Sequence, residues 1–178
     1  MDLLTATLQA NIQRFFKNGM PVATWHYSSD GNIKREGEKI SGVVRMYGES
    51  GSLLSEMTYK HNDLNGRFSL FSENGFLEEE GEFKNNQLHG AYTQYYPSEK
   101  IKLQGIYKNG IKNGNFRLFY ESGITEEEET YKNGVLDGNY SSFYPNGVIE
   151  TQAVYKKGRL IKITQFDTNG SIKNEEKY

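Results

Sequence analysis

The sequence predicts an all-β fold: an elongated, open antiparallel meander of 24-residue β-hairpin repeats with an N-terminal capping helix. Each interval contains two apolar strand-like segments separated by turn residues, as expected for a repeat architecture. The connections are too short for crossover helices, so neighbouring strands must be antiparallel. The stretch before the repeats has the apolar spacing of a helix. The period itself is marked by Gly42, Gly66, Gly90, Gly114 and Gly138.

The composition argues against several classes of protein. The 178 residues include no cysteine, which excludes disulfides, thiolate catalysis and cysteine-ligated metals. A formal net charge of -2 gives no long-range attraction for nucleic acid or for an anionic membrane. Aromatic residues make up 13% of the chain and the mean hydropathy is -0.76. We therefore expect tyrosine and phenylalanine, rather than aliphatic residues, to supply most of the buried surface.

Residues 1–21 are predicted to be an amphipathic helix that caps the array. Asn18-Gly19 supplies a helix stop and Pro21 prevents continuation. Covering the first sheet edge is the expected role, and docking on a partner or membrane is the alternative. The segment lacks the early positive charge and long apolar run of a signal peptide, which predicts a cytoplasmic protein, or an exported one if a leader has been removed. The apolar stripe comprises Leu4, Leu8, Ile12, Phe15 and Phe16.

Residues 22–178 form the predicted array. A shortened first repeat covers 22–41, regular repeats cover 42–161, and a partial terminal repeat covers 162–178. Within a repeat, a Gly-containing hairpin turn joins the two strands, and a Lys-Asn-Gly type of turn leads to the next repeat.

Two sets of aromatic residues recur within the repeat. Because the third and sixth positions are three residues apart, they face opposite sides of a regular strand. Either both faces are partly covered, or a bulge reverses the alternation in each repeat. We expect the third and eighteenth positions to form the core and one of the two aromatic sets to face solvent, with the doubled tyrosines Tyr96, Tyr120 and Tyr144 as the more exposed candidates. The third position holds Val44, Phe68, Tyr92, Phe116 and Tyr140, the sixth holds Tyr47, Phe71, Tyr95, Phe119 and Phe143, and the eighteenth holds Tyr59, Phe83, Tyr107, Tyr131 and Tyr155.

A ladder of Glu and Gln recurs at the fifteenth position. One interpretation is an acidic strip for a basic partner or for cations. The other pairs these carboxylates with basic residues on intervening strands, such as Arg45, Arg67 and Arg117, and we favour it because a repeated position in a repeat protein is usually structural. The ladder consists of Glu56, Glu80, Gln104, Glu128 and Gln152, with Glu36 and Glu175 in the end repeats.

No arrangement of residues points to catalysis. The acidic runs 78–80 and 126–129 alternate between strand faces and do not converge on one ion. The segment Asp167-Thr168-Asn169-Gly170 resembles the start of a calcium loop but lacks the downstream acidic ligand. The histidines, His26, His61 and His89, are far apart in sequence and form no motif. We expect a non-enzymatic protein without metal or cofactor.

The fragments LHGAYTQYY at 88–96 and YKNGVLDGNYSSFYPNG at 131–147 resemble the MORN repeat variant. Bacterial proteins with this repeat are grouped as the YwqK family of antitoxin-like proteins, and eukaryotic MORN repeats are related to it. The resemblance covers roughly residues 24–178. Three positions depart from the pattern: Glu99-Lys100 replaces the turn glycine, Thr125 replaces a strand leucine, and Lys162 replaces an opening glycine.

The resemblance implies a β-hairpin array that binds a protein, with a toxin as the partner in an antitoxin or immunity-like role. It also implies lipid or membrane-surface binding as an alternative, as for the eukaryotic relatives, and a structural spacer or surface protein is a further alternative. Tyrosine supplies much of the binding energy at protein interfaces, so the exposed aromatic residues are the expected surface. We predict that this surface comprises Tyr96, Tyr120 and Tyr144 together with Tyr47, Tyr95, Phe119 and Phe143.

Overall fold

The computed structural model describes residues 4–9 and 11–178, and every helix or strand element in these ranges is a β-strand. The chain divides into two compact units, residues 1–87 and 88–178, which we call unit 1 and unit 2. No helix in the described ranges is long and apolar enough to cross a membrane. The strands are β1 Leu4–Gln9, β2 Ile12–Lys17, β3 Met20–Tyr27, β4 Ile33–Gly37, β5 Gly42–Tyr47, β6 Leu53–Lys60, β7 Asp63–Phe71, β8 Leu77–Lys84, β9 Gln87–Tyr95, β10 Ile101–Lys108, β11 Ile111–Lys112, β12 Gly114–Phe119, β13 Thr125–Lys132, β14 Val135–Phe143, β15 Ile149–Lys156, β16 Arg159–Phe166 and β17 Ile172–Lys177.

The predicted N-terminal helix is wrong. Its residues form an antiparallel hairpin of β1 and β2, in which Ala6 lies opposite Phe15. The apolar residues of β1 also fit a period of two, because Leu4, Ala6 and Leu8 alternate with β-branched threonines. Pairing on both sides decides between the two periods, since β1 is antiparallel to β2 and parallel to β5. Residues 1–3 and 10 of the predicted helix lie outside the described residues.

Unit 1 places its strands in the order β4-β3-β2-β1-β5-β6-β7-β8. In a flat sheet β3 and β6 would lie four strand spacings apart, or about 19 Å. The rings of Trp25 and Tyr59, on these two strands, are nevertheless only 5.7 Å apart. The sheet of unit 1 therefore rolls around a central cluster. That cluster is Ala6, Phe15, Ala23, Trp25, Ile40, Val44 and Tyr59.

Unit 2 is an antiparallel meander from β9 to β17, in which β11 and β12 both pair with β10. Its aromatic side chains form a row in which each ring meets the next edge to face. The centroid distance is 5.4 Å from Tyr92 to Tyr107, 5.3 Å from Tyr107 to Phe116 and 5.5 Å from Phe116 to Tyr131. The prediction that the third and eighteenth positions form the core is confirmed in this row.

Each regular hairpin repeat contains a β-bulge, which was one of the two alternatives for how the aromatic sets are placed. The register of β12 and β13 shifts between Leu118 and Phe119, so that one residue of β13 has no partner. Equivalent shifts occur at the same step in five other hairpins. A second bulge lies at Gly66, whose φ of 126° favours glycine and which lies inside β7 rather than in a turn. A Cβ there would lie 2.8 Å from the Thr58 side chain.

Candidate binding surface

The predicted surface divides between two faces of the sheet. Arg117 and Phe119 lie on the same face of the sheet, because they are two residues apart in the regular strand β12. The bulge does not change this, since its unpaired residue, Glu126, belongs to β13. We call this face the ladder face, after the row of position-fifteen residues that includes Glu128, the partner of Arg117. The opposite face carries the aromatic core row, and we call it the core face. By the same register, the sixth-position aromatics Tyr47, Tyr95 and Phe143 lie on the ladder face.

A structural role that was not predicted from the sequence belongs to Tyr96, Tyr120 and Tyr144. Each hydroxyl donates to a backbone carbonyl of the following hairpin, at 2.6 Å from Tyr96 to Phe119, 2.7 Å from Tyr120 to Phe143 and 2.9 Å from Tyr144 to Phe166. We call these contacts the tyrosine ties. Burial, followed by the charge of Glu126, raises the pKa of Tyr96 and Tyr120. All three rings are half-buried, so they are less exposed than predicted.

The sixth-position aromatics form one border of the ladder face. Each lies opposite an aliphatic or threonine side chain, as in Tyr95 with Ile101 and Phe143 with Ile149. Tyr47 is 43% exposed and Ile101 is 39% exposed, while the other members are half-buried. This aromatic set therefore lies on the face opposite the core row, with the bulge as the physical cause, but except for Tyr47 it is half-buried and does not fully face solvent.

Exposed aliphatic residues lie on the other border of the ladder face. Ile106 is two residues beyond Gln104 in a regular strand pair and is 50% exposed. Val154 occupies the equivalent place after Gln152 and is 41% exposed. Neither residue was predicted from the sequence, although their shared place in the repeat is a signal that could have found them.

Polar side chains occupy the middle of the ladder face and are paired within the sheet. Arg45 contacts Glu56 at 2.5 Å, Arg117 contacts Glu128 at 2.8 Å and Lys162 contacts Glu175 at 2.7 Å. The prediction of internal pairing is confirmed for these carboxylates. Arg67 lies opposite Glu82, a carboxylate outside the ladder, and contacts it at 3.7 Å, because the register places Ser69 opposite Glu80.

Two shallow depressions adjoin on the ladder face of unit 2. One is about 260 Å³ and the other about 250 Å³, and they share Asn139 and Ser141 in their walls. Small amide and hydroxyl side chains leave this space between the longer paired side chains. The remaining ladder-face lining comprises Asn115, Arg117, Glu128, Thr130, Gln152, Val154, Lys162 and Thr164.

The acidic run 126–129 separates between the two faces, as predicted. Glu128 pairs with Arg117 on the ladder face, whereas Glu129 contacts Lys112 at 3.6 Å and Glu127 accepts from the Tyr140 hydroxyl at 3.2 Å. Burial and these carboxylates raise the pKa of Tyr131 and of Tyr140 to about 12. Within residues 4–9 and 11–178, no group of three or more acidic or histidine side chains could hold a metal ion.

The remaining predicted features lie in local structure. His26 lies 3.9 Å from Glu36, the His61 backbone N–H donates to Ser41, and His89 contacts Asn109 at 3.2 Å. The Asp167 carboxylate accepts from the backbone N–H groups of Asn169 and Ser171, so this segment is a hairpin turn. Glu99 keeps the hairpin turn of its repeat and adopts the glycine-like φ of 62°.

Comparisons with known proteins describe the repeat. A family model described as the MORN repeat variant matches residues 40–61, 64–85, 88–109, 112–133 and 136–157. No curated protein matches the chain. A crystal structure of a GtfA/B complex bound to UDP and GlcNAc is 12% identical with a TM-score of 0.21, and the match covers 87% of this chain and 24% of that one. Virginiamycin B lyase from Staphylococcus aureus is 9% identical with a TM-score of 0.20, covering 99% of this chain and 84% of that one.

Proposed function

Since the chain belongs to the MORN repeat variant family, whose repeats commonly bind proteins or membranes, we propose that it is a non-enzymatic module that binds a protein partner. The ladder face of unit 2 is the proposed contact surface. In the more specific form of this proposal, the protein is a bacterial antitoxin or immunity-like component and its partner is a toxin.

One observation carries the proposal: apolar side chains border the ladder face although the core lies on the opposite face. Ile101, Ile106 and Val154 are each between 39% and 50% exposed. The half-buried rings of Tyr95, Phe119 and Phe143 continue this surface from repeat to repeat. Aromatic and aliphatic anchors among polar side chains are the composition that protein interfaces favour.

The charged groups of this surface support binding rather than catalysis. Arg117 is held by Glu128 and Lys162 by Glu175, so these groups hold one another instead of a substrate. Small polar side chains line the depressions between these pairs. Such groups can form hydrogen bonds with a partner at low desolvation cost. The apolar side chains at the borders would then exclude water from this polar interface.

A capture experiment with paired variants tests the contact surface. The full chain is immobilised, and the proteins it retains from a lysate of the native host are quantified by mass spectrometry. The double variant Ile106→Lys/Val154→Lys should reduce capture of the specific partner by about tenfold or more, because apolar anchors contribute 1–3 kcal/mol or more at interfaces.

Ile111→Lys/Val135→Lys is the matched control, since these side chains are equally exposed, at 47% and 46%, but lie at the turns between repeats. Equal capture by the two double variants would contradict the ladder face as the contact surface. Flotation of the wild-type chain with anionic vesicles, without any captured protein, would favour the lipid alternative. The antitoxin form further requires that the captured protein is toxic and that this chain neutralises it.

A further inference from the structure

One ion pair on the core face of unit 2 replaces residues that are uncharged in the other regular repeats. The Lys112 ammonium group lies 3.6 Å from the Glu129 carboxylate, and the two side chains are 33% and 21% exposed. The place of Lys112 is otherwise held by leucine, and the place of Glu129 by methionine, glycine or alanine. The leucines are Leu64, Leu88, Leu136 and Leu160, and the residues in the place of Glu129 are Met57, Gly81, Gly105 and Ala153.

The ammonium group of Lys112 is held by two rings as well as by the carboxylate. Its nitrogen lies 4.7 Å from the centroid of the Phe116 ring, 4.6 Å from that of the Tyr131 ring and 3.4 Å from the Tyr131 hydroxyl. Both rings belong to the hairpin of β12 and β13, and Glu129 lies opposite Phe116 in it. These contacts compensate the half-buried charge only when β13 is the strand that pairs beside β11 and β12.

Other hairpins of the array would not satisfy this charge. If β11 and β12 paired with the second strand of another hairpin, Lys112 would meet Gly81 or Ala153 instead of a carboxylate. The strand β13, which carries a glutamate at this place, also cannot replace β10 without displacing the buried Phe116 ring, because a Cβ at Gly105 would lie 2.3 Å from that ring. A half-buried charge that loses its partner costs more stability than the pair contributes.

We propose that Lys112 and Glu129 determine which strands pair in unit 2, by excluding arrangements in which hairpins of different repeats exchange strands. Repeats that share one template can pair in the wrong order, within a chain or between copies, because most of their contacts are equivalent. A charged pair found in one hairpin alone makes the wrong order costly, even though it adds little to the stability of the right one. Lys112 and Glu129 therefore contribute specificity of pairing more than stability.

Refolding of the full chain tests this role. The variant Lys112→Leu/Glu129→Ala carries the residues of the next repeat, so its urea midpoint should equal or exceed that of the wild type. After rapid dilution from urea, it should give extra resonances in a two-dimensional amide NMR spectrum, or oligomers in sedimentation velocity, that the wild type does not give. Lys112→Arg keeps the cation beside the rings and Glu129, so it should refold to a single species.

The single variants separate the pair from its parts. Lys112→Leu and Glu129→Ala should each lower the urea midpoint, because each leaves one half-buried charge without its partner. The double variant should be about tenfold more stable, in its unfolding equilibrium constant, than the sum of the two single losses predicts. A double variant less stable than both single variants would overturn the proposal, since the pair would then contribute stability rather than specificity.

Arg117→Ser/Glu128→Gln is the matched control, because it also introduces the residues of the next repeat in the same hairpin. That pair lies on the ladder face and is more exposed, at 51% and 40%, so a wrong pairing leaves its charges in water at little cost. The control should refold to a single species. The proposal is overturned if Lys112→Leu/Glu129→Ala refolds as the wild type does, or if the control or Lys112→Arg gives the same mixture.

Discussion

Units 1 and 2 use the same repeat but stabilise it in different ways. Unit 1 gathers Phe15, Trp25 and Tyr59 into one cluster, around which the sheet rolls. Unit 2 distributes its aromatic contacts along a row and adds one tyrosine tie between each hairpin and the next. At the place of the tying tyrosine, unit 1 has Gly48 and Ser72. The comparison shows that the repeat specifies hairpins. Departures from the repeat decide whether the stabilising contacts gather in one cluster or recur along a row.

The largest expected effects come from removing the most buried ring of each unit. Phe15 is 0% and Phe116 is 1% exposed, so replacement of either with alanine should lower the free energy of unfolding by about 3–5 kcal/mol. Hydrogen exchange by mass spectrometry should show the loss across all of the strands around the cluster for Phe15→Ala. For Phe116→Ala, the loss should be greatest in β10, β12 and β13. Equal loss across both units in both variants would contradict the contrast between the units.

The tyrosine ties should give a smaller effect confined to unit 2. Each of Tyr96→Phe, Tyr120→Phe and Tyr144→Phe removes one hydroxyl-to-carbonyl bond and keeps the ring, which should cost about 0.5–1.5 kcal/mol. The triple variant is measured by urea unfolding against Tyr47→Phe, a substitution at a partly exposed ring (43%) that should cost nothing measurable. If the triple variant is as stable as the control, the ties do not contribute to stability.

A turn in unit 2 should be easy to improve. Glu99 has a φ of 62°, whereas the equivalent residues of unit 1, Gly51 and Gly75, are glycines with φ of 83°. A side chain in this left-handed region costs about 1 kcal/mol or more, so Glu99→Gly should raise the free energy of unfolding by up to about 1 kcal/mol. Thermal unfolding checks this, and Gly75→Glu, the reciprocal change, should lower the melting temperature.

Raising the pH above 10 should lower the stability of both units, whereas pH changes near neutrality should not. The pKa of Tyr59 in unit 1 and of Tyr131 and Tyr140 in unit 2 is raised from 10.0 to about 12, chiefly by burial. Because the unfolded state loses these protons first, their stabilisation is complete below pH 10 and is lost as the pH rises towards 12. Tyr131→Phe should reduce this decline in unit 2, as measured by chemical unfolding from pH 8 to 11. An unchanged decline would contradict the raised pKa of Tyr131.

Much of the repeat could be predicted from the sequence because its signals are local. Turn glycines such as Gly75 and Gly123 lie in hairpin turns with positive φ, as their turn chemistry indicates. The pairing of Arg117 with Glu128 also follows from the repeat, since adjacent antiparallel strands place them opposite each other.

The N-terminal hairpin and the tyrosine ties could not be predicted, because each depends on a neighbour outside its own segment. The spacing of Leu4, Leu8 and Ile12 satisfies a helix, and the antiparallel pairing with β2 together with the parallel pairing with β5 makes β1 a strand. Tyr96 looks like an exposed ring until the next hairpin places the Phe119 carbonyl within reach.

By itself, the sequence determined the 24-residue period, the turns and the antiparallel strands, because these depend on residues close together in the chain. Only the tertiary structure decided which face each aromatic residue occupies, since a single unpaired residue such as Glu126 reverses the relation between two strands. It also decided that unit 1 closes around Trp25 and Tyr59, because that closure joins strands that are distant in sequence. The periodic pattern sets the conformation of residues that are close together in the chain. Packing between strands then determines which face of each strand is buried.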